Sequence, residues 1–191
     1  MNLPPARLVA LLLTLFAAFF LFVVFGGLAA PDVTLFRAHA SAWSAALLAL
    51  PALCLFLLRA GRQPLGQSWR LWWTAGWVMI AVHLWWGLGR LHDWDLASVV
   101  ERQGWHIAGP IFVLEILWAA DMVLTWARSD WAEARGAYLA WQWLVWCVAA
   151  ASFCVSLAIF QNDATSLWIG LFLTLALILA ALRRLAEGEP A

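Results

Sequence analysis

Three ionisable side chains sit where such groups are expensive. His83, Glu115 and Asp121 fall inside long apolar runs of a 191-residue chain that is 65% hydrophobic and only 12% charged. A charge at mid-bilayer costs roughly 2.5–3.5 kcal/mol on an insertion scale. Groups of this kind therefore face protein or a water-filled cavity, and they mark proton or ion paths, polar ligands or structural pairs. His83 precedes His92 by nine residues, and Glu115 follows His106 by nine. At a helical rise of about 1.5 Å per residue, each lies about 13 Å from its marker histidine. Two neighbouring antiparallel helices would bring His83 and Glu115 to similar depth, where each makes the other cheaper to bury. The expectation is a separation within about 8 Å, or a bridge through water or another polar group. His83 shares a helix face with Gly76, Gly87 and Arg90, and the small residues point to a face packed on protein. Asp121 is deeper, and roughly 120° around the helix from Glu115. It either extends a stepped proton path through Glu115 to His83, or contacts another subunit, or pairs structurally. Gln142, Thr14, Ser152 and an arginine near a helix end are the expected structural partners.

The remaining histidines are His39, His92 and His106, with Asp32, Asp93, Asp95, Glu101 and Asp163 on the same side of the chain's folding pattern. Imidazoles and carboxylates at helix ends are donors that Cu, Zn or Fe sites use. His39, His92 and His106 are therefore the metal candidates, although their spacing matches no ligand signature and an HExxH is absent. The 16 tryptophans cluster mainly at the ends of apolar runs, as an interfacial belt would. Trp69, Trp72 and Trp73 are expected in one such belt. Trp77, Trp118 and Trp146 read as deeper. Trp77 and Trp118, with His83 and His106, are the residues that would wall a flat apolar molecule such as a quinone, a carotenoid, haem or another tetrapyrrole. Cys54, Cys147 and Cys154 form no CxxC and lie in apolar runs, which is how small buried hydrophobes behave.

The elements that must position these groups are six apolar runs, at about 8–30, 40–58, 70–89, 106–126, 138–160 and 164–182. Each is near the ~20 residues that cross a hydrocarbon core. The chain reads as all-α: one integral membrane domain over 1–191, a polytopic bundle of six spans with short loops. The first run is longer than a secretory h-region and reads as a retained span. Pro51 is expected to kink the second. Gln161, Asn162 and Asp163 form a tight hairpin with an N-cap ready for the last span. Six spans put both termini on one side. Arg7, Arg59, Arg62, Arg70, Arg128, Arg135, Arg183 and Arg184 share that side, against Arg37, Arg90 and Arg102 opposite. The positive-inside rule then predicts cytoplasmic termini in a bacterial-type inner membrane.

Function is bounded more by exclusion than by motif. Net charge is zero, and no basic, aromatic-interleaved surface suggests nucleic acid. There is no P-loop, GxSxG or dinucleotide fingerprint. Small size and short loops favour a non-catalytic integral subunit of a larger inner-membrane assembly, respiratory, photosynthetic or transport-related. Its partners would be the lipid bilayer and other membrane subunits. A small transporter or proton-conducting protein using His83, Glu115 and Asp121 is the second reading. A haem- or metal-binding membrane oxidoreductase using the outer histidines is the third.

Overall fold

A computed structural model describes residues 5–160 and 163–188, and no strand occurs among them. Helix α1 spans Pro5–Phe25 and α2 spans Val33–Arg59. Helix α3, Gln67–Leu84, runs on into a π-helical segment, Trp85–Leu91. A short α4, Leu96–Gln103, precedes α5, Trp105–Ala127. Helix α6, Gly136–Val155, continues into a second π-helical segment, Ser156–Phe160, and α7 spans Ala164–Ala186. Helices α1, α2, α5, α7, and α6 with its π extension are long and apolar enough to cross a membrane. The chain is a multi-pass membrane protein. Helix α3, the expected third span, is less apolar than these five, because Gln67, Arg70, His83 and four tryptophans dilute it.

Helix α2 is the axis of the bundle. Asp32 caps it, accepting from the Leu35 N–H at 2.9 Å, and so satisfies a donor that the first turn leaves unpaired. Ala38, Ala45, Ala46, Ala49 and Ala52 are buried along it. These small side chains let α3 come close. A Cβ on Gly76 of α3 would lie 2.9 Å from the Ala49 Cβ. Gly170 of α7 is held equally tightly, because a Cβ there would meet the Ala158 backbone nitrogen at 2.7 Å. Pro51 sits inside α2, and the α-helix continues through it. Asp163 caps α7 through the Ser166 N–H at 2.8 Å, while Gln161 and Asn162 of the expected hairpin lie outside the described residues.

The segment between α3 and α5 holds more structure than a polar loop. Asp93 and Trp94 both adopt left-handed backbone, with φ of 50° and 63°. That conformation costs a non-glycine residue roughly 1–2 kcal/mol. The turn folds Trp94 back so that its ring covers Gly89, leaving no room for a side chain there. Asp95 then caps α4, accepting from Ala97 N–H at 2.9 Å.

The bundle has two chemically distinct ends. The histidine end gathers the start of α2, the first π segment, α4 and the start of α5. The arginine end gathers the opposite helix termini, with Arg59, Arg62, Arg70, Arg128 and Arg135. Tryptophan placement departs from a simple belt. Trp85, Trp94, Trp105 and Trp126 are exposed, but Trp69 and Trp73 are each 2% exposed. Trp131, Trp69, Trp73 and Trp118 form a continuous stack, with successive centroids 6.1, 6.0 and 4.4 Å apart. Mutual stacking draws these rings inward instead of leaving them at an interface. Arg70 lies between the Trp126 and Trp131 rings, 4.2 and 4.3 Å from their centroids.

Candidate functional site

A cavity of about 500 Å³ lies at the histidine end, between α2, the π segment after α3, α4, α5 and the π segment after α6. Its ionisable lining is His39, His83, His92, Arg102 and Glu115, with Gln103 and Ser156 as further polar groups. Leu84, Val99, Ile111 and Phe112 are among its apolar walls. The volume is in the range of small-molecule sites, roughly 300–1,000 Å³. Both π-helical segments reach it, through Gly87, Leu88 and Leu91 on one side and Ser156 on the other. Segments of this kind recur at functional sites, because the wider turn re-aims side chains.

His83 is fixed in one tautomer. Its Nδ1 donates to the Ala38 carbonyl at 2.9 Å, with Ser41 Oγ at 3.4 Å. A carbonyl only accepts, so Nδ1 carries the proton and the neutral ring presents Nε2 as an acceptor. Gly87 keeps that edge clear. A Cβ there would sit 3.6 Å from His83 Cε1 and 3.8 Å from Nε2.

Glu115 is half-buried on the same cavity. The structure therefore brings His83 and Glu115 to one cavity, from α3 and α5. No hydrogen bond or ion pair joins them, and Glu115 has no such partner elsewhere among the described residues. A carboxyl without a partner inside a membrane span is a costly feature.

His92 is 5% exposed and has one ring nitrogen engaged. Its Nδ1 lies 2.9 Å from Ser98 Oγ, while its buried Nε2 has no hydrogen-bond partner. Burial first, and then the Arg102 charge, holds its pKa below the ordinary imidazole value, against a smaller opposing pull from Asp95. His39 Nδ1 lies 4.0 Å from Asp163 Oδ2. That carboxylate also accepts from Ser166 Oγ at 2.6 Å, and Ser166 Oγ accepts from Trp43 Nε1 at 2.7 Å. This chain of bonds ties α2 to the start of α7 at the cavity rim.

Asp121 belongs to a different place. It is 1% exposed, below the cavity, and its two oxygens accept from Trp73 Nε1 at 2.8 Å and Trp141 Nε1 at 3.0 Å. The expected partners Gln142, Thr14, Ser152 and arginine do not supply these bonds. Indole N–H groups supply them, because a buried indole needs an acceptor and two of them meet here. Trp118, one turn below Glu115, is fully buried between Trp73 and Phe153. Along α5 it stands between Glu115 and Asp121, with its ring 4.4 Å from that of Trp73.

The other candidates are dispersed. His106 is exposed, and neither it nor Trp77 or Trp118 lines the cavity. Among the described residues, no three His, Cys, Asp or Glu side chains gather as a metal site. His39 and His92 face the same cavity but are engaged by different partners, Asp163 and Ser98. Sequence reasoning missed the wall supplied by α4, namely Val99, Arg102 and Gln103, and also Ser156. Chemically, the cavity gathers imidazole nitrogens and a carboxyl, groups of the kind that proton transfer uses. Comparison with known protein families, curated proteins and solved structures finds no match for this chain.

Proposed function

We propose that this protein is a small proton-coupled carrier, whose solute enters the histidine-end cavity and exchanges protons with Glu115 and His83. The observation that carries this reading is Glu115, an unpaired carboxyl in a membrane span facing a cavity shared with three imidazoles. A carboxyl so placed is destabilising unless something outside the protein engages it. His83, with Nε2 held as an acceptor, is the second proton-exchanging group. Asp121 is structural in this reading, and the Trp73–Trp118 layer is the closed barrier beneath the cavity. The arginine end faces the cytoplasm of a bacterial-type inner membrane, supported by the eight-to-three arginine bias.

Reconstitution into liposomes with an internal pH dye tests the proposal. Wild-type protein is expected to carry protons in a solute-dependent manner, and Glu115→Gln to lose that flux while remaining folded. Flux unchanged in Glu115→Gln contradicts it. An inert protein that co-purifies with stoichiometric membrane partners would instead support the integral-subunit reading that small size and short loops suggest.

A further inference from the structure

The arginine end holds a second cavity, of about 520 Å³, between the α2–α3 and α5–α6 connections. The Leu65 N–H donates to the Ala132 carbonyl at 2.8 Å and ties the two connections together. Four groups on this cavity favour an anion. Arg62 and Arg135 line it, opposed by the single carboxylate of Glu133. The 20-residue helix α6 begins in its wall at Gly136, and its N-cap, Arg135, makes no side-chain capping bond. The first N–H groups of such a helix lack partners and carry partial positive charge. Gly136, at φ 52°, has nothing within 4 Å of where a Cβ would stand, so the approach is open.

The fourth group is independent of the helix end. Gln142 lines the same cavity, is 2% exposed, and neither its amide nitrogen nor its oxygen has a hydrogen-bond partner. Tyr138, one turn away, lies close to that amide without closing a bond to it. A buried amide left unsatisfied is destabilising, and an amide beside a cavity is relieved by a ligand that occupies it. Arg62 is held in position by donating from one terminal nitrogen to the Arg184 carbonyl at 2.7 Å, which leaves its other N–H groups for the cavity.

We propose that this second cavity is a phosphate-binding site. The α6 N-terminus, Arg62 and Arg135 would hold a phosphate group, and the Gln142 amide would donate from the buried side. Two guanidinium groups and a free helix end suit a tetrahedral, multiply charged oxyanion. The phosphate has two sources, a soluble phosphate or the headgroup of an anionic phospholipid.

Thermal unfolding of the full chain, followed by tryptophan fluorescence, tests the proposal in two arms. The first titrates inorganic phosphate in detergent at constant ionic strength, balanced with chloride. The second compares nanodiscs of phosphatidylcholine with nanodiscs containing increasing phosphatidylglycerol. A saturable rise in unfolding temperature in the first arm identifies a soluble phosphate, and a rise confined to the second identifies a lipid headgroup. Either supports the site if Arg135→Gln, an exposed residue outside the core, shifts the midpoint by about tenfold or more, and if Gln142→Leu also weakens the response. The proposal is overturned if neither arm saturates, or if either of these two variants responds as wild type does. Arg62→Gln serves only as a third variant, because Arg62 also anchors the end of α7.

Discussion

At the scale of single residues, the two carboxyls of α5 differ in kind. Asp121 accepts two indole N–H bonds and is sealed in the core. Asp121→Asn turns one acceptor into a donor facing an indole N–H, and the expected loss is about 1–3 kcal/mol, read as a lower unfolding temperature with proton flux retained. Glu115 makes no bond to lose, so Glu115→Gln should leave the unfolding temperature unchanged or raise it. The spacing of both groups along α5 was legible in the sequence, because helical rise fixes distance along an axis. Their partners were not, because rotation about the axis is set by packing. Asp121's indole partners carried a signal nonetheless, since Trp73 and Trp141 both sit near the starts of apolar runs that cross in the same direction, and buried indoles require acceptors.

At the scale of elements, close approach and local winding build the cavity. Alanine normally gains about 1 kcal/mol over glycine in a helix. At Gly76 that gain is opposed, because the new Cβ would lie 2.9 Å from Ala49. Gly76→Ala should therefore destabilise by about 1–3 kcal/mol, the usual cost of overpacking. Gly87→Ala meets only an ordinary 3.6 Å contact, and should be tolerated in the same unfolding assay, whereas Gly87→Leu should fill the cavity and block uptake. Helix α4 docks through His92, which burial keeps neutral. Because its folded pKa lies below the ordinary 6.5, the unfolded state binds more protons as pH falls through that value. Docking is fully stable above about pH 6.5 and weakens below it. Hydrogen exchange of α4 amides, corrected for intrinsic rates, should show protection lost in that acid window, and unchanged protection would contradict the docking role. The sequence contained α4 in plain form: Asp95 as a cap, then Leu96, Val99 and Val100 at helical spacing. The π segments had no such signal, because no residue type marks the wider turn and segments of 7 and 5 residues are too short for a shifted apolar register to show.

At the scale of the whole molecule, composition carried the fold class and little else. Apolar runs of spanning length are a strong signal, and they correspond to α1, α2, α5, α6 and α7. Helix α3 blurs the count because tryptophan is poor in hydropathy yet packs readily in a core. The proposed orientation gives a direct expectation. In a background with Cys54, Cys147 and Cys154 replaced, an impermeant maleimide should label Glu101→Cys on intact spheroplasts and Gln63→Cys only after permeabilisation. The reverse pattern would invert the bundle.

The functional reading turns on Glu115 being a working proton group while Asp121 is structural. Infrared difference spectroscopy of the reconstituted protein, titrated in pH, observes the carboxyl groups themselves. The expected result is a protonated-carboxyl stretching band that titrates in wild type, disappears in Glu115→Gln and persists in Asp121→Asn. A titrating band that survives Glu115→Gln and vanishes in Asp121→Asn would contradict the assignment.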